Sequence, residues 1–79
     1  MRILFFAQAR DATGTAEMEM SVPEILDADA LWRKLIDTYP KLAEFRETTR
    51  LARNSEYADA KTFFCDQDEV ALIPPVSGG

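Results

Sequence analysis

The sequence predicts an α+β domain, a mixed sheet of roughly four to five strands packed on one main helix. Three observations carry that expectation. A β-prone run, Ile3-Leu4-Phe5-Phe6, opens the chain, and a second, Val70-Ala71-Leu72-Ile73, lies near its end. Between them a single apolar stripe, Leu31, Leu35, Ile36 and Tyr39, recurs at the three- and four-residue spacing of an amphipathic helix. With 79 residues, 47% hydrophobic and 29% charged, the chain is sized for one small packed core.

The first strand is predicted over Arg2 to Gln8, with Gly14 marking a turn. Glu17-Met18-Glu19-Met20 then alternates strictly, so Met18 and Met20 face the core, the glutamates face water, and the two strands form a hairpin. Pro23 closes that strand, and Asp27 or Asp29 is placed to cap the helix, which Pro40 stops. Trp32 flanks the helix's apolar stripe and reads as core or half-buried. Over residues 41–50, Leu42 and Phe45 suggest a short helical turn or an ordered loop. Leu51-Ala52-Arg53 and Tyr57 read as short strands around the turn residues Asn54-Ser55, and Asp66 to Glu69 form the turn before the last strand.

The order of elements, with first and last strands as parallel central neighbours and the helix crossing one face, is the β-grasp arrangement of ubiquitin-like domains. Residues 1–73 form that domain and residues 74–79 a flexible tail ending in Gly-Gly. Alternation puts Ile3, Phe5, Val70 and Leu72 on one face and Leu4, Phe6, Ala71 and Ile73 on the other. If the first set is core, then Leu4, Phe6 and Ile73 form an apolar patch beside the root of the tail, and such patches mark interfaces. The alternative is that residues 41–50 cover part of that face.

Composition excludes several function classes. A net charge of −5 and a pI near 4.5 argue against nucleic acid or an anionic membrane as partner and favour a basic protein face. No apolar run is long enough for a membrane span and no signal segment opens the chain, so a cytoplasmic location is expected. Histidine is absent and Cys65 is the only cysteine, which removes the usual general base, zinc site and nucleophile pairs. Asp66, Asp68 and Glu69 lack the spacing of a calcium loop and read as turn formers, so no metal site is expected. Cys65 reads as a small buried or edge residue, not as a sulfur-handling group.

Pro74-Pro75-Val76-Ser77-Gly78-Gly79 is the segment on which function turns. The prolines fix φ, donate no N–H, end the strand and launch the tail. The glycines lack a β-carbon, so the tail can thread a channel closed to other residues and present the Gly79 carboxylate as a reagent. Six residues at about 3.3 Å each reach about 20 Å. In that reading Gly78, Ser77, Val76, Pro75 and Pro74 occupy a partner's channel.

Asp68-Glu69-Val70-Ala71 followed by that ending resembles the family of small, sulfur-carrying subunits of molybdopterin synthase. Leu4-Phe5-Phe6-Ala7 with Arg10, the helix residues Leu31, Leu35 and Tyr39-Pro40, and Asn54 with Tyr57 are similar to the same family. The chain departs from it at Gln67, where a turn glycine is usual, and at Arg53, where valine is usual. The first departure suggests a different turn geometry or a strained φ.

The resemblance implies a mechanism in which a separate E1-like enzyme adenylates Gly79 with ATP, and a persulfide sulfur attacks the mixed anhydride to leave a thiocarboxylate. The large catalytic subunit then uses that sulfur to build the dithiolene of molybdopterin on a cyclic pterin precursor. The chain itself would be no enzyme alone, would hold no permanent cofactor, and would join the large subunit in a heterotetramer through Phe6, Leu4, Ile73 and Arg10. Two alternatives stay open: the same chemistry serving thiamine synthesis or tRNA thiolation, and a ubiquitin-like modifier or binding module. Arg10 could equally be solvated.

Overall fold

The computed structural model describes residues 1–75. In chain order it contains β1 (Arg2–Phe5), α1 (Ala7–Thr13), β2 (Glu17–Glu19), α2 (Ala28–Thr38), a 3₁₀ helix (Pro40–Phe45), β3 (Arg50–Arg53), β4 (Glu56–Tyr57) and β5 (Glu69–Ile73). The strands form one sheet in the order β2-β1-β5-β3-β4. β1 and β5 lie parallel at its centre, with Ile3 opposite Val70 and Phe5 opposite Leu72, as the β-grasp arrangement requires. The other pairings are antiparallel, so the sheet is mixed.

The first strand is shorter than its apolar run suggests. It ends at Phe5, and Phe6 is the extended N-cap of α1. Ala7 follows at φ 47°, a left-handed step that turns the chain out of the sheet. Ala-Gln-Ala-Arg-Asp-Ala-Thr is then rich enough in helix formers to sustain a short helix. Gly14 is therefore not the turn of a tight hairpin but the C-cap of α1, at φ 76°, its N–H donating to the Arg10 carbonyl at 2.8 Å. β1 and β2 still pair antiparallel, across a helix and not a simple turn.

Asp27 is the residue that caps α2, its carboxylate accepting from the Ala30 N–H at 2.8 Å. Asp29 instead pairs with Arg33 at 2.6 Å and with Arg46. The helix lays Leu31, Trp32 and Leu35 into the core beside Ile3, Phe5, Val70 and Leu72, and Phe5 meets Tyr39 edge to face at 5.7 Å between ring centres. Leu42 is fully buried, and the 3₁₀ helix that carries it packs against α1 and α2. The 3₁₀ helix Pro40–Phe45 thus completes the helical layer. None of residues 41–49 lines the groove on the opposite face of the sheet.

Asn54 and Ser55, at φ 49° and 73°, make the two-residue turn between β3 and β4. At the turn before β5, by contrast, Gln67 carries no positive φ. That turn is closed by the Asp68 N–H donating to the Cys65 carbonyl at 3.0 Å, while the Asp68 carboxylate accepts from the Cys65 N–H at 2.8 Å. Side-chain hydrogen bonds hold the bend that glycine would otherwise supply, so of the two alternatives the turn takes the different geometry and not the strained φ.

Candidate functional site

The site is built on the sheet face away from the helices and on the end of β5. Alternation assigns the faces as the sequence predicts. Ile3, Phe5, Val70 and Leu72 are at most 2% exposed, whereas Leu4, Ala71 and Ile73 are partly exposed and Phe6 is 46% exposed. Leu4, Phe6, Ala52, Tyr57, Ala71 and Ile73, with the polar Ser55 and Glu69, line a shallow groove of about 350 Å³. The small Ala52 and Ala71 sit directly opposite each other at its floor, and the larger side chains form its walls. β5 leaves this groove at Ile73 into half-buried Pro74 and exposed Pro75. The tail is therefore launched from a central strand. Val76, Ser77, Gly78 and Gly79 lie outside the described residues.

Charge divides the open face along the strands. At the end remote from the tail, Arg2 stands between Glu17 at 2.6 Å and Glu69 at 3.4 Å. The hydrogen bond and charge of Glu17, with Glu69 behind them, hold the Arg2 guanidinium above its ordinary pKa. At the tail end the face is apolar except for Arg50, which lies across from Ile73 and stacks over the Tyr57 ring at 4.0 Å. No carboxylate lies within salt-bridge distance of Arg50 among the described residues.

Arg10 is exposed on α1 and does not line the groove, so the structure does not bring it together with Leu4, Phe6 and Ile73. Arg53, the other departure from the family pattern, donates to the Phe63 carbonyl at 2.6 Å and ties the β3 end to the following loop. Cys65 is exposed. Among the described residues no three His, Cys, Asp or Glu side chains could hold a metal ion.

The acidic turn residues are occupied within the fold. Asp66 accepts from the Val22 N–H at 2.8 Å and from the chain's first ammonium at 3.4 Å, and the Val22 bond, then that charge, lowers its pKa. For Asp68, burial pushes the pKa up but is outweighed by the Cys65 N–H and the Asn54 amide, so it too is lowered. Asn54 completes this lock: its amide donates to Asp68 and its carbonyl oxygen accepts from the Glu69 N–H, each at 3.0 Å. The lock fixes the start of β5, one strand length from the tail.

Sequence reasoning missed Arg50 and the wall residue Tyr57. Their placement depends on the register of β3 against β4 and β5, which periodicity within one strand does not carry.

Residues 3–79 match the model of the ThiS family. The chain is 34% identical to the molybdopterin synthase sulfur carrier subunit of Arabidopsis thaliana, over all of this chain and 82% of that one. It is also 34% identical to the human subunit of the same name, covering 100% and 93%. Among solved structures, SAMP1 from Haloferax volcanii superposes with a TM-score of 0.81 at 27% identity, covering 100% and 98%. A putative molybdopterin converting factor subunit 1 from Pyrococcus furiosus gives 0.81 at 25%, covering 95% of each chain.

Proposed function

The chain belongs to the ThiS family, and on that premise we propose that it is the sulfur carrier of a molybdopterin synthase, with Gly79 as the carrying residue. The observation that carries the proposal is the full-length likeness to curated sulfur carrier subunits, joined to a Gly-Gly ending that follows the central strand. A carboxylate is a resonance-stabilised anion at neutral pH and resists nucleophiles. An E1-like enzyme overcomes this by joining Gly79 to AMP from ATP, releasing pyrophosphate. A persulfide then attacks the acyl carbon, AMP leaves, and reduction of the resulting acyl disulfide by a thiol frees the thiocarboxylate.

The chain's own part in this is presentation. Pro74 and Pro75 direct Val76, Ser77, Gly78 and Gly79 into the channel of the large catalytic subunit, where the sulfur passes to the cyclic pterin precursor. Leu4, Phe6 and Ile73 dock the carrier to that subunit, with Arg10 as an outlying contact, in a heterotetramer in the cytoplasm. The catalytic side chains, and any bound cofactor, belong to the partners.

An intact mass spectrum tests this. Incubation with the host's adenylating enzyme, ATP and a sulfur donor should exchange one oxygen of Gly79 for sulfur, and the large subunit with precursor should reverse the gain as molybdopterin forms. Gain without that discharge would assign the carrier to thiamine synthesis or tRNA thiolation. The likeness to SAMP1, described as a small archaeal modifier protein, favours a second reading, attachment of Gly79 to lysines. Absence of the sulfur gain with isopeptide adducts on cellular proteins would establish that reading instead.

A further inference from the structure

We infer that Arg50 is the ionic anchor of the docking face and takes a carboxylate that the large catalytic subunit presents beside the entry of its tail channel. This rests on the sulfur-carrier reading above and adds to it a specific contact. Two arginines project from the strands of the open face, and they differ in what they already hold. Arg2 is neutralised by Glu17 at 2.6 Å and Glu69 at 3.4 Å. Arg50 has no carboxylate partner among the described residues, and its guanidinium rests on the Tyr57 ring at 4.0 Å.

Stacking occupies the flat face of the guanidinium and leaves its N–H edge for a ligand. A planar fork held in place loses little freedom on binding and matches a carboxylate in two parallel hydrogen bonds. Position selects the ligand. Arg50 is across from Ile73, the last strand residue before Pro74, so its counterpart must lie where the tail enters the partner. The neighbouring groove walls, Leu4, Phe6 and Ile73, exclude water on docking, which strengthens the pair relative to a solvated one.

Calorimetric titration of the full chain into the host's large subunit tests the inference. Arg50→Gln, which keeps a planar but uncharged end group, should weaken binding about tenfold at low salt, and Arg50→Glu on the order of a hundredfold. Arg50→Lys, with charge but no fork, should fall between wild type and Arg50→Gln. Salt should narrow these gaps as the screening length falls to about 3 Å near 1 M, though less than for a fully exposed pair. Unchanged binding by folded variants, or a loss insensitive to salt, would each overturn the inference while wild-type binding leaves the carrier reading intact. A wild-type chain that does not bind the large subunit would remove both.

Discussion

The two faces of the central strands differ in what they hold together, although each strand contributes to both by simple alternation. On the helix side Ile3, Phe5, Val70 and Leu72 meet Leu31, Leu35 and Phe64, and none of these is more than 2% exposed. On the open side Leu4, Ala71 and Ile73 are half covered and Phe6 and Tyr57 are 46% and 57% exposed. A small domain has little apolar area to spare, so leaving apolar side chains uncovered on one whole face is costly for solubility and gains nothing for folding. The difference teaches that stability resides on one face, which leaves the other available for the docking proposed above.

The comparison breaks most sharply at the core. Leu72→Ala should cost about 3 kcal/mol by denaturant unfolding, through lost transfer energy and a cavity that the rigid sheet cannot close. Its neighbour Ile73, one residue on and facing the other way, should behave oppositely. Ile73→Glu should change stability by less than about 1 kcal/mol yet weaken the complex with the large subunit by about tenfold or more. Phe6→Glu should do the same. Unfolding of either variant would mean that the faces are exchanged.

Smaller effects sharpen the picture at the turn end. Asn54→Ala, removing two hydrogen bonds at a left-handed position, should cost about 1 kcal/mol and leave binding at the groove unchanged. Acid should act on the same lock. Asp66, Asp68 and Asp29 all have pKa values lowered by folding, so each contributes stability that is present above the ordinary value of 3.8 and is lost as pH falls from there through the depressed values. Thermal melts across that range should show the decline, with a shallower slope in Asp66→Asn.

How far the sequence reached follows from what each signal encodes. Alternation in Ile3 to Phe6 and Val70 to Ile73 carries the facing of the central strands, and the Leu31, Leu35 spacing carries α2 with its Asp27 cap. α1 was hidden because the apolar run continues through Phe6, and nothing local announces the left-handed step at Ala7 that ends the strand. Gln67 leaves two alternatives open in the sequence, and the structure shows the different turn geometry: glycine is one way to make that turn, and Asp68 bonded to the Cys65 N–H is another. Arg50 and Tyr57 stayed invisible as a pair because their meeting is a property of cross-strand register. Pro74 and Pro75 were legible, since proline's geometry is local.

The most direct test of the claim that folding and sulfur delivery occupy separable parts is to extend the chain by one bulky residue beyond Gly79 and measure molybdopterin formation by the reconstituted synthase. The account predicts a domain with wild-type unfolding behaviour, wild-type docking through the open face up to the tail channel, no sulfur loading and no molybdopterin. A folded, extended chain that still forms molybdopterin would contradict it.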